Sequence, residues 1–328
     1  MNLHKSLDLG KPTYLSKPME PVIGNGIIRA NDLTGPIRGS SLLLSKAENM
    51  MGLMEESTIA MIRRWQRQVE SNGGVVDIGV DKDLKSVAAV INSKACFSSS
   101  YSQGKQIFSK LRALQAAISQ PNLLFGLTNF RQERGRSNKY EEDLLQVIPE
   151  IAENSEDLQH ISSKDRFIID NCKNIYFAGH ETTALTASWC LLLLALHPEW
   201  QERVRAEIAE ICGDNLNDCL LDLDKLRQSK TLNMVIQETL LLYGPAVIAA
   251  REAFADIKLG DMTIPKGTNI WILITALHRD PENWGPDANE FKPDRFAQGI
   301  IEACKFPQLY IPFGFGSRLC FGQTFAML

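Results

Sequence analysis

One stretch, from Ser163 to His197, constrains the fold more than any other feature of the chain. Ser163 is a suitable N-cap, and Pro198 supplies the stop because its ring cannot continue the hydrogen-bond ladder, so the spacing predicts one helix over about 163–197. At about 1.5 Å per residue such a helix runs to roughly 50 Å, enough to cross a whole domain. The rest of the fold must therefore pack along it. Its most apolar run, Cys190 to Leu196, is far too short to span a bilayer, and no anchor or signal is visible elsewhere, which predicts a soluble product.

Shorter elements surround it. Ala47 to Val69, Leu84 to Cys96 and Gln106 to Ile118 place apolar residues at three- and four-residue steps without proline, the pattern of amphipathic helices, and Gly73-Gly74 separates the first two. Lys11 to Ser40 is dense in Gly, Pro, Asn and Ser and reads as loop; Leu123 to Glu153 reads as a charged surface segment with a short helix at Asp143 to Val147. Beyond Pro198, Glu199 to Cys212 and Thr231 to Tyr243 return to the helical period, the latter closed by Gly244-Pro245. The period then changes. Ile257 to Leu259 and Thr268 to Ile274 are β-branched and apolar, with turns at Gly260-Asp261 and Pro265-Lys266-Gly267. The fold class is mainly α with a small β region, in a single domain.

A length of 328 residues at 44% hydrophobic composition supports a large core, and a net charge of −4 leaves no basic footprint for nucleic acid. Seven scattered cysteines without a C-x-x-C pair argue against zinc or a disulfide framework and point to a reducing compartment. His4, His160, His180 and His197 show no ligand spacing to one another.

The chemistry concentrates at residues 313–322, Phe-Gly-Phe-Gly-Ser-Arg-Leu-Cys-Phe-Gly. A thiolate that ligates a metal needs donors and cationic charge nearby, and glycines let backbone N–H groups approach the sulfur. Cys320 with Arg318 meets that description. The run resembles the haem-binding loop of the cytochrome P450 family, F-x-x-G-x-R-x-C-x-G, at Phe313, Gly316, Arg318, Cys320 and Gly322. The resemblance implies Cys320 as axial ligand to haem iron and Arg318 as a contact to a haem propionate.

Further motifs follow the family. Ala178-Gly179-His180-Glu181-Thr182-Thr183, inside the long helix, is similar to its oxygen-activation motif, and implies Glu181 as acid and Thr182 as alcohol in proton delivery. From the residues alone, a glycine and a back-bonding hydroxyl loosen a helix and leave room for oxygen and water. Arg251 and His278 align with positions that contact haem propionates, although a loop histidine with a local hydrogen bond fits His278 equally well. Glu238 and Arg295 match two members of a buried ion network behind the haem loop, but Leu241 stands where the family has an arginine. The family's W-x-x-x-R is also missing; Asn31 to Ser40 occupies its place.

The segment Asn171 to Phe177 resembles most the plant clade that oxidises gibberellins and related terpenoids. The resemblance implies a haem b (iron protoporphyrin IX) and O2-dependent monooxygenase that hydroxylates or epoxidises a small hydrophobic substrate. It implies electrons from NADPH through a cytochrome reductase, and the endoplasmic reticulum membrane as its place. Residues 1–328 would be a partial catalytic domain, truncated at both ends and lacking part of the middle near Asn129 to Arg136. Leu241 and the missing segments leave a second expectation open: a non-catalytic remnant, or a mis-spliced product, that no longer binds haem.

Overall fold

The computed structural model describes residues 9–12, 14, 40–97, 163–213 and 223–327. The helices expected at 106–118 and 143–147, and most of the loop expected before Ser40, lie outside them. Helix α1 (Ser40–Ser71) and α2 (Val80–Phe97) precede the long α3 (Ser163–Leu196), and α4 (Pro198–Cys212) and α5 (Leu223–Gln228) lead to α6 (Lys230–Tyr243). The architecture is mainly helical with small sheets, and among the described residues no helix is long and apolar enough to cross a membrane.

Pro198 both ends α3 and starts α4. His197 between them sits at φ −126°, ψ 76°, outside the helical well, and its ring packs on Phe291 at 4.7 Å. From α4, Trp200 is buried under the Arg203 guanidinium, 3.9 Å from the ring centroid, and Arg203 pairs with both carboxylate oxygens of Asp294 at 3.0 and 3.1 Å. Glu207, on the same helix, accepts from the N–H groups of Thr231 and Leu232 at 2.7 and 3.2 Å. It caps α6, whose own N-cap residue Ser229 makes no side-chain cap bond. The far end of α6 closes at Gly244, where a Cβ would stand 2.5 Å from the Leu240 carbonyl oxygen. Trp189 of α3 stacks on Tyr243 at 4.1 Å, fastening α6 to the central helix.

Strands β1 (Leu9–Gly10), β2 (Ile248–Ala253) and β5 (Asn269–Leu273) form an antiparallel sheet in the order β1-β2-β5, and β3 (Ile257–Leu259) pairs with β4 (Met262–Ile264) as a hairpin. Gly260 turns that hairpin at φ +61°, as Gly260-Asp261 predicts. The strand expected over Thr268 to Ile274 is shorter, because Ile274 opens the helix α7 (Ile274–His278). A free-thiol expectation is also corrected, since Cys212 is disulfide-bonded.

Candidate functional site

The cysteine loop is folded by its own backbone. Cys320 N–H donates to the Phe313 carbonyl at 2.8 Å, Gly314 N–H to Ile311 at 3.0 Å and Leu319 N–H to Gly316 at 3.2 Å. Gly314 and Gly316 take φ +79° and +66°, and a Cβ on Gly314 would meet the Arg318 carbonyl oxygen at 3.0 Å, so this turn excludes L side chains. Sequence matching singles out Gly316 and passes over Gly314. The only sign of it was a second glycine in Phe313-Gly314-Phe315-Gly316. At the other end, Gly322 N–H hydrogen-bonds the Cys320 sulfur.

Cys320 keeps an exposed residue surface, yet packing around the sulfur pushes the thiol above its usual value, with only the Gly322 N–H opposing. Burial, and not Arg318, sets the direction of that shift. The charge of Arg318 is felt by Arg251 instead. Burial first, and Arg318 second, lower the proton affinity of the half-buried Arg251, whose Nη1 donates to the Ala250 carbonyl at 2.9 Å. A soft thiol with a backbone donor, beside guanidinium groups that raise each other's energy, fits iron on one side and carboxylates on the other. A metal would ionise the thiol outright.

His278 is buried and hydrogen-bonded within the fold. Its Nε2 accepts from Ile311 N–H at 3.0 Å while the carbonyls of Leu241 and Leu240 engage the ring's other side, and burial depresses its pKa to about 4. A neutral ring suits the acceptor role. These bonds match the local hydrogen bonding that the sequence also allowed, and they make the ring a brace joining α7, α6 and the start of the loop. Tyr310, stacked obliquely on His278 at 5.5 Å, donates to the Gln237 carbonyl at 3.0 Å and adds a second brace.

Glu238 and Arg295 do meet. Arg295 Nε donates to Glu238 at 3.3 Å, Nη1 to the Trp284 carbonyl at 2.8 Å and to Asp287 at 3.0 Å, and Nη2 to the Asp287 carbonyl at 2.8 Å. Glu238 also accepts from Lys292 N–H at 2.9 Å. It is fully buried, and burial raises its pKa from 4.5 to about 7 against the pull of those donors. Leu241 is buried in an apolar cluster with Trp284, Ala288 and Phe296. The missing arginine has thus been replaced by packing.

On α3, Thr182 Oγ1 donates back to the Ala178 carbonyl at 2.7 Å, as the sequence predicts. Glu181 lies 3.3 Å from His180 Nε2 and 3.7 Å from Lys85 Nζ. Gly179 serves a different purpose from the one expected. Asn92 of α2 occupies its notch, 2.6 Å from where a Cβ would stand, and donates to the carbonyls of Ile175 and Tyr176 at 3.1 and 3.2 Å. The gap in the helix surface is filled by a neighbouring helix. Asn92 and Lys85 are contributors that no motif announced.

Known proteins resemble this chain in sequence and in fold. The Cytochrome P450 family model matches residues 123–328. The chain is 46% identical to Cytochrome P450 714C2 of Oryza sativa subsp. japonica, over 99% of this chain and 67% of that one. It is 44% identical to Cytochrome P450 714A2 of Arabidopsis thaliana, over 98% and 68%. Its fold is similar to that of the cytochrome P450DA heme domain, with a TM-score of 0.73 at 22% identity, covering 97% of this chain and 74% of the other.

Proposed function

The chain belongs to the cytochrome P450 family of haem b monooxygenases, and on that premise we propose that it hydroxylates or epoxidises a small hydrophobic substrate, a terpenoid hormone such as a gibberellin. The observation that carries the reading is the Cys320 loop, which presents a sulfur with one N–H donor and carries Arg318, whose charge acts on Arg251. Cys320 would hold the iron. Arg318 and Arg251 would take the propionates, with Phe313, Gly316 and Gly322 shaping the loop. Haem, when bound, supplies the redox chemistry that splits dioxygen, and thiolate ligation favours that cleavage.

The chain's own part is to hold charge and move protons. The Gly322 N–H offsets some of the charge on the ligating sulfur. Glu181, held between Lys85 and His180, would pass protons toward the site. Thr182 Oγ1, whose own hydrogen is given to the Ala178 carbonyl, keeps its lone pairs to accept from a proton donor and hold it in place for that delivery. Electrons come from NADPH through a cytochrome reductase, and the working place is the endoplasmic reticulum membrane, as for the family.

The rival reading, a remnant without haem, draws on Leu241. The arrangement around it favours the enzyme, because Arg295 still engages Glu238 and Leu241 fills its space with carbon. A reduced carbon monoxide difference spectrum decides between them. A thiolate-type Soret band, abolished in Cys320→Ala, is expected; a haem-free wild type would sink the proposal.

A further inference from the structure

We infer that Lys11, the residue that follows the first strand of the sheet, is a third cationic anchor for the carboxylate edge of haem, acting beside Arg251 and Arg318. The inference rests on the haem reading above. It starts from the β1–β2 ladder, in which Leu9 faces Ala253 and Gly10 faces Glu252. One further step of that antiparallel register sets Lys11 opposite Arg251, and directly opposed residues share a sheet face with Cβ atoms about 5 Å apart. Strand alternation turns Glu252 to the other face. Pro12, fully buried, fixes the chain immediately after Lys11.

Like charges placed opposite each other on a sheet are destabilising. Here a third arrives from the Cys320 loop, since Arg318 acts on both Lys11 and Arg251. Burial comes first, and the two arginines next, in lowering the Lys11 pKa to about 8. A lysine that merely protects a sheet edge stands out in water. Lys11 is half-buried. Cations drawn together from a strand, a strand's end and a loop, beside the sulfur expected to hold iron, fit a ligand carrying two carboxylates at that edge.

The test uses the full chain, freed of haem, in three forms: wild type, Lys11→Met, which keeps the stem and loses the charge, and Lys11→Arg, which keeps the charge. Each is titrated with haemin and with haemin dimethyl ester, whose propionates are uncharged, and the urea midpoint of each haem-free protein is measured. A charge-assisted contact corresponds to about tenfold or more in affinity. Lys11→Met should lose about that for haemin and less than about twofold for the ester. Lys11→Arg should retain haemin affinity. Equal losses for haemin and ester would overturn the inference, and a lowered urea midpoint beside them would make Lys11 a structural residue. An unchanged haemin affinity would overturn it too. A wild type that binds neither porphyrin refutes the haem reading itself, a different outcome from a wild type that binds both and a variant that matches it.

Discussion

Replacing Leu241 by arginine exchanges one kind of support behind the cysteine loop for another, and the balance turns on pH. Leu241 is 1% exposed among Trp284, Ala288 and Phe296, so removing it forfeits about 2 kcal/mol of burial, part of which the arginine stem recovers. Against that stands Glu238, one turn away, whose carboxyl is raised from 4.5 to about 7 by burial. Ionising it in the fold therefore costs roughly 3 kcal/mol more than in the unfolded chain. A raised carboxyl binds its proton more tightly when folded, so wild-type stability from this group is full below about pH 4.5 and falls as pH rises to about 7. A second guanidinium beside Glu238 favours the carboxylate and removes most of that fall. Leu241→Arg should then be less stable than wild type by about 2 kcal/mol at pH 5, and equal or slightly more stable at pH 8. Urea unfolding of the haem-free protein from pH 5 to 8 measures this, and haem occupancy of the purified variant should rise at pH 8. A stability difference of the same size at every pH would refute the coupling between positions 238 and 241, and unchanged occupancy would refute its link to the loop.

Gly179→Ala should destabilise the protein by about 1–3 kcal/mol in thermal or urea unfolding, because the Cβ meets the Asn92 side chain at 2.6 Å. Adding Asn92→Ala should relieve much of that, with a double-mutant coupling of at least about 1 kcal/mol; strict additivity would show that the two do not touch. Gly314→Ala forces a side chain into φ +79° against the Arg318 carbonyl, and should cost about 1–2 kcal/mol together with a loss of haem uptake read from the Soret band. Arg203→Ala, which removes a bidentate contact to Asp294 on an exposed surface, should shift stability by no more than about 1 kcal/mol and leave haem uptake unchanged. A larger effect would mean that Arg203 sets the position of Arg295.

The helices α3, α4 and α6 were legible because their signals are local: a 3.6-residue apolar period, Pro198 at one junction and Gly244-Pro245 at another. Strand β2 was not, since Ala249, Ala250, Arg251 and Glu252 have little preference for strands, and pairing with β1 and β5 imposes the conformation. The site divides the same way. Phe313, Gly316, Arg318, Cys320 and Gly322 stand close in sequence and could be read as one motif. Asn92 in the Gly179 notch, Gly10 opposite Glu252 and Ile311 on His278 are partnerships between distant segments, which spacing along the chain does not encode.

Glu207 carries a consequence for how the chain reaches this structure. A helix as short as α6, 14 residues, is marginal by itself in water, and its first turn lacks a capping side chain of its own. The carboxylate that serves it belongs to α4, so α6 gains that stabilisation only once the two helices have met. Helices α4 and α6 are thus expected to form together. The platform behind Cys320 would then be ready before the loop that rests on it closes.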